Sequence, residues 1–181
     1  MITRLLTDAP VRAVLDDLLG WERLAFNNGQ IAIRRAHNTD RARRPEPHID
    51  GIPTPHNGLS MDDPTLANFT ALVGVYLTAQ TTDFAGNFTV WPGSHHRIEQ
   101  HFRARGRAAM REGMPQIPLG DPVQLRCGVG DVVLCHYQLA HTSAANLSAD
   151  DRIAVYFRLW LKDIDQRRWE LLTDIWTDWR L

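Results

Sequence analysis

At 181 residues, 44% of them hydrophobic and 23% charged, the chain has the length of one domain and enough apolar content to bury a core. Twenty Lys+Arg against 21 Asp+Glu leave a formal net charge of -1, so no global field draws it toward nucleic acid or an anionic membrane. Lys162 is the only lysine, and we read this arginine excess as codon bias rather than nucleic-acid recognition.

The first residues, MITRLLTDAPVR, lack the long apolar stretch of a secretory signal, and no run approaches the ~18 apolar residues of a membrane span. Cys127 and Cys135 lie in apolar, strand-like contexts without CxxC spacing, which fits a reducing compartment. A cytoplasmic protein is expected. Asp8-Ala9-Pro10 reads as a helix start, and Val11, Val14, Leu15, Leu18 and Leu19 recur at helical spacing, predicting a helix over 9–20. "LAFNNGQIAI" places two short apolar segments around Asn28-Gly29, a strong hairpin signal. From 37 to 68 the chain is polar and carries Pro45, Pro47, Pro53, Pro55 and Pro64, which predicts loop on either side of a short strand at 48–50.

Residues 70–78 and 87–91 are strand-like. "PGSHHR" is a tight turn in which Ser94 is a candidate N-cap for a helix over 95–111. "PVQLRC", "DVVLCHYQ" and "RIAVYFRLWL" supply three more strands. The last alternates, with Ile153, Val155, Phe157, Leu159 and Leu161 on one face and Arg152, Ala154, Tyr156, Arg158 and Trp160 on the other. Trp169, Leu172, Trp176 and Trp179 form a stripe that predicts a helix over 165–180. Many short strands with flanking helices indicate a single, mainly β domain over 1–181: a jelly-roll, cupin-like barrel (a double-stranded β-helix) over about 24–161.

Such barrels hold small ligands inside, which gives "EPHIDG" at 46–51 its interest. His-x-Asp alone arises roughly 0.7 times by chance in this composition. On a strand, however, His48 and Asp50 share a face and can grip one ion. Two imidazoles and a carboxylate leave three coordination positions open, the requirement of non-haem Fe(II) oxygenases. The third candidate ligand is His141, at the end of the apolar strand that starts after Gly130-Asp131. A polar turn then leads to the strand beginning at Arg152, so a hairpin brings both residues to one end of the barrel. Buried, Arg152 must be paired, and its planar fork suits a carboxylate, with the Ser143 hydroxyl on the same side.

In order, HIDG (48–51), GNFTVWPGSHHR (86–97), GDVVLCHYQLAHTS (130–143) and Arg152 resemble the phytanoyl-CoA dioxygenase family of Fe(II)/2-oxoglutarate oxygenases, over roughly residues 24–161. His followed eleven residues later by Arg is expected roughly 0.8 times by chance. The four motifs together are far more specific. The resemblance implies Fe(II) on His48, Asp50 and His141. It also implies the distal carboxylate of 2-oxoglutarate on Arg152 and Ser143, with Gln30 where relatives contact the cosubstrate. With O2, it implies hydroxylation of a small molecule and release of succinate and CO2. Asp50 speaks against a halogenase, since related halogenases carry Gly or Ala there. Departures are a short N-terminal region, "DFA" before Gly86, and Val75 where relatives can carry an aromatic near the cosubstrate.

The substrate pocket is expected between the 51–68 loop with His56, Trp91, and the inward face bearing Tyr156 and Arg158. That lining favours a small polar or natural-product-like molecule over an acyl-CoA, since Arg103, Arg105 and Arg107 read as solvent-facing. Elsewhere blander readings hold. His95, His96 and His101 read as solvated, His136 as a hydrogen-bonded core histidine, the arginines of 97–111 as an exposed helix face, and the tryptophan stripe as a packing face and candidate homodimer contact. Two other classes stay open: a Zn- or Mn-dependent cupin-type isomerase or hydrolase, and a non-catalytic jelly-roll binding module. The first leaves Arg152 without a task, and the intact triad argues against the second.

Overall fold

A computed structural model describes residues 2–8, 10–38, 46–53 and 66–181. Two antiparallel sheets face each other. The larger has strands in the order β1 (Leu24–Phe26), β8 (Arg152–Leu161), β3 (Ala71–Tyr76), β6 (Val132–His136), with β2 (Gln30–Arg34) also on β8. The smaller orders β5 (Val123–Gln124), β4 (Phe88–Val90), β7 (His141–Ser143). This is the expected mainly β jelly roll.

β8 organises the molecule because both of its faces are buried. Ala154 and Tyr156 enter the inner core with Tyr76, Phe88, Val90 and Trp91, while Val155, Phe157, Leu159 and Leu161 enter an outer core with Leu6 of α1 (Arg4–Thr7) and Leu15 and Leu19 of α2 (Val11–Leu19). Fully burying one such leucine contributes about 1.5–3 kcal/mol. α2 stops at Gly20, whose φ of +78° only glycine adopts cheaply.

The Asn28-Gly29 hairpin does not form. β1 and β2 do not pair with each other; both lie against β8, Phe26 opposite Leu159 and Gln30 opposite Tyr156. Three residues, 27–29, therefore span the two positions between 156 and 159, which is a one-residue bulge. Gly29 sits at φ +84°, where a Cβ would meet Phe157 at 2.7 Å. The bulge reverses the side-chain alternation, so Gln30, Ala32 and Arg34 share a face with inward-pointing Tyr156 and Ala154.

Three further expectations change. His141 does not end the strand after Asp131; β6 stops at His136, and after a turn His141 opens β7 in the opposite sheet, so β7 and β8 form no hairpin. Ser94 does not cap α3 (Ser94–Arg105). Its buried hydroxyl instead accepts the Ala140 N–H at 2.8 Å, pinning the crossover beside His141. The helix expected at 95–111 breaks at Gly106 (φ +68°), beyond which Arg107–Glu112 is a 3-10 turn. The helix expected at 165–180 is short: α4 covers Arg168–Thr173 after a 3-10 turn at Ile164–Gln166. It cannot continue because the Ile175 backbone is used sideways, its N–H by Glu99 and its carbonyl by His136. Among the described residues no helix is long and apolar enough to cross a membrane.

Candidate metal centre

His48 and His141 are placed by a narrow backbone pair: each N–H donates to the other's carbonyl, at 3.0 and 2.9 Å. Their rings lie 4.6 Å apart between centroids. His48 makes an isolated bridge, and Asp50 occupies the turn that follows rather than a strand. That turn is fixed on both sides. Ile49 and Ile52 are buried, and Gly51 at φ +79° lies so close to Asn68 that a Cβ would sit 2.6 Å from its backbone. One ligand atom from each of His48, Asp50 and His141 falls within 4.8 Å of the others.

The protonation states suit a cation. The His141 Nδ1 lies 2.8 Å from the Leu139 carbonyl, which can only accept, so Nδ1 carries the proton and Nε2 offers a lone pair to the site. Burial lowers the pKa of His141 and keeps it neutral, against the pull of Asp50. Burial pushes the Asp50 carboxyl up, but His141, Arg158 and His48 together outweigh it and hold the group below the usual carboxylate range. Two imidazoles and one carboxylate fit a divalent first-row metal with open positions.

Arg152 is 2% exposed, among the largest buried side chains of the protein. Nε donates to the Gly86 carbonyl (2.8 Å), Nη1 to the Ala32 carbonyl (3.2 Å) and Nη2 to the Ser143 hydroxyl (2.8 Å). Among the described residues no carboxylate pairs with it. Around it stand Tyr76 and Tyr156, hydroxyl to hydroxyl at 3.4 Å, and burial raises both phenols, so each stays a proton donor. Gly74 makes room for the Tyr156 ring, which a Cβ there would meet at 2.7 Å. The Phe88 ring links the two halves of the site, 5.1 Å from His141 and 5.7 Å from Tyr156.

The triad, Arg152, Ser143 and Tyr156 thus converge on the inner face. Other candidates fall differently. Gln30 is on that face, but its Oε1 accepts from Arg158 Nη1 at 2.9 Å. Arg158 itself reaches Asp50. Trp91 is 3% exposed and packs in the inner core, and His56 lies outside the described residues. Tyr76 was missed. The sequence drew attention to Val75, which faces the outer core, while its neighbour Tyr76 supplies the aromatic on the inner side. The strand period held the signal.

The remaining histidines sort by burial. His136 is a core histidine: Nδ1 accepts the Gln138 N–H (3.1 Å), so Nε2–H donates to the Ile175 carbonyl (3.0 Å), and burial lowers its pKa to about 3. His95 is not solvated as expected. It packs edge-on against Trp176 at 5.5 Å, and burial followed by the neighbouring His96 lowers it to about 4. A separate cleft of about 920 Å³, lined by Leu66, Arg107, Arg111, Arg168 and Trp169 among others, contains no triad residue.

Comparison with known proteins agrees with the jelly-roll fold. Non-haem monooxygenase ThoJ, without ligand, superposes with a TM-score of 0.56 at 19% identity, over 86% of this chain and 53% of its own. HygX from Streptomyces hygroscopicus, with nickel, 2-oxoglutarate and hygromycin B bound, gives 0.57 at 18% identity, over 90% of this chain and 65% of its own. SnoK, a non-haem alpha-ketoglutarate-dependent carbocyclase from nogalamycin biosynthesis, gives 0.50 at 21% identity, over 80% and 56%. The chain spans about half to two thirds of the length of these proteins. No curated protein matches it. The sequence model of phytanoyl-CoA dioxygenase (PhyH) matches residues 28–154, most of the chain and all four motifs, and the protein belongs to that family.

Proposed function

We propose that the protein is an Fe(II)- and 2-oxoglutarate-dependent dioxygenase that hydroxylates a small molecule. The observation that carries this is Arg152: a buried guanidinium with no carboxylate partner among the described residues, hydrogen-bonded to Ser143, two residues along the same strand from His141 of a His/Asp/His cluster. An unpaired buried cation costs several kcal/mol, so the site is built for an anion. His141 and Ser143 are two residues apart on β7, roughly 6–7 Å along a strand. That is the reach of a five-carbon dicarboxylate with one end at the triad and the other on Arg152.

In this reading His48 Nε2, His141 Nε2 and one oxygen of Asp50 hold the iron. Arg152 and the Ser143 hydroxyl hold the distal carboxylate. Tyr76 and Tyr156 line the space between and exclude water. Bound iron and cosubstrate supply the oxidising chemistry, and the protein supplies position and a dry pocket. The Arg152 arrangement also separates this reading from a Zn or Mn isomerase or hydrolase, which would need no dicarboxylate clamp.

For substrate we infer a small polar or natural-product-like molecule. HygX, which resembles this chain in fold, holds hygromycin B, and two arginines that an acyl-CoA clamp would draw on are already paired, Arg103 with Glu99 and Arg105 with Glu112. A panel of small molecules and acyl-CoAs, assayed for substrate-stimulated succinate release, tests this. Stimulation by acyl-CoAs alone would overturn it.

A further inference from the structure

Arg158 has no place in the functional reading so far except as a pocket residue, yet two of its three guanidinium nitrogens are directed at the candidate metal carboxylate. Nε and Nη2 both reach the same oxygen of Asp50, Oδ2, at 3.0 and 2.8 Å. The other oxygen, Oδ1, is the one turned toward the triad, 3.8 Å from His48 Nε2. Nη1 is braced by Gln30 Oε1, and the guanidinium lies over the Phe69 ring at 5.7 Å. Its backbone is held as well: the Arg158 N–H donates to the Asn27 side chain at 3.2 Å, and the Asn27 N–H donates back to the Arg158 carbonyl. The bulge at 27–29 makes this possible, because it turns Gln30 onto the inner face. Arg158 also lies beyond the stretch the family model matches.

We propose that Arg158 is a positioning residue that occupies Oδ2 of Asp50 and so restricts this carboxylate to a single metal-ligating oxygen, keeping the positions opposite the triad open for the cosubstrate. The proposal rests on the metal reading above. A free carboxylate can turn both oxygens onto one cation, and each added ligand removes an open position. A hydrogen bond from Nε and an ion-pair contact from Nη2 on one oxygen oppose that rotation, and groups that orient a ligand in this way commonly change affinity at a metal site by 10–100-fold.

The test loads wild type, Arg158→Met and Arg158→Lys anaerobically with Co(II) and records stoichiometry and the visible d–d spectrum, before and after 2-oxoglutarate. Wild type is expected to bind one Co(II) and to change its spectrum on adding 2-oxoglutarate. Arg158→Met should still bind one Co(II) but with weaker d–d bands, from the higher coordination number, and should need about tenfold more 2-oxoglutarate or greater. Arg158→Lys, which keeps the charge and one donor, should fall between the two and serves as the second variant if the Met variant does not fold. Variants with wild-type spectra and wild-type 2-oxoglutarate affinity would overturn the proposal while leaving the metal site intact. A wild-type protein that takes up no cobalt would instead remove the metal reading itself.

Discussion

Arg152 is the residue on which the functional account turns, because it is a charge whose partner the described chain does not supply. Its three hydrogen bonds to Gly86, Ala32 and Ser143 fix the fork, so substitution removes a preformed anion site. Arg152→Ala is expected to keep stoichiometric metal but to lose about 2–5 kcal/mol of 2-oxoglutarate binding, read by calorimetric titration of the Mn(II)-loaded protein. Unchanged affinity would place the cosubstrate elsewhere. At the triad, His48→Ala removes one of the three proposed ligands. Metal content of the variant should fall from one equivalent to near zero, and full retention would contradict the assignment of His48.

At the level of elements, the turn carrying Asp50 and the C-terminal segment make separable predictions. Gly51→Ala places a Cβ against the Asn68 backbone at a positive φ, a cost of about 1–3 kcal/mol that should appear as a lower Tm together with weakened metal binding. The C-terminal segment is bound through His136, which burial holds neutral to about 3 in the fold, whereas in the unfolded chain it titrates near 6.5. The unfolded state therefore takes up the proton first as pH falls. Stability from this contact is complete above about 6.5 and is lost progressively toward 3, with His95 acting in the same direction. Tryptophan emission, reporting Trp176 and Trp179 beside His136, should follow that acid transition. In His136→Gln, which can keep both hydrogen bonds without titrating, the transition should move to lower pH, and an unmoved transition would exclude His136 as its origin. The elements also mark how far the sequence could be read. The period of β8 was legible because both its faces pack, whereas the bulge was not, since Asn-Gly serves a hairpin turn and a bulge equally well and only pairing with β8 decides between them. Likewise the tryptophan stripe kept helical spacing although Ile175 gives its backbone to Glu99 and His136, a long-range contact that local pattern does not record.

In the whole molecule, the two cores divide stability from chemistry. α1 and α2 close the outer face of the large sheet and touch none of the triad, so Leu15→Ala should cost about 2–5 kcal/mol in denaturant unfolding while leaving metal affinity unaltered in the folded protein. The triad candidates and Arg152 were legible from order and spacing in one sequence, because each motif fixes residue types that a metal or a carboxylate demands. The role of Arg158 was not, because its partner Asp50 lies 108 residues away and is met only through the fold. The most direct measurement of the central claim is succinate formed from 2-oxoglutarate by anaerobically Fe(II)-loaded protein after admission of O2. We predict O2-dependent succinate in wild type, abolished in His48→Ala and restored in Arg152→Ala only at far higher 2-oxoglutarate. Metal-loaded wild-type protein that forms no succinate above a metal-only control, with or without the substrate panel, would contradict it.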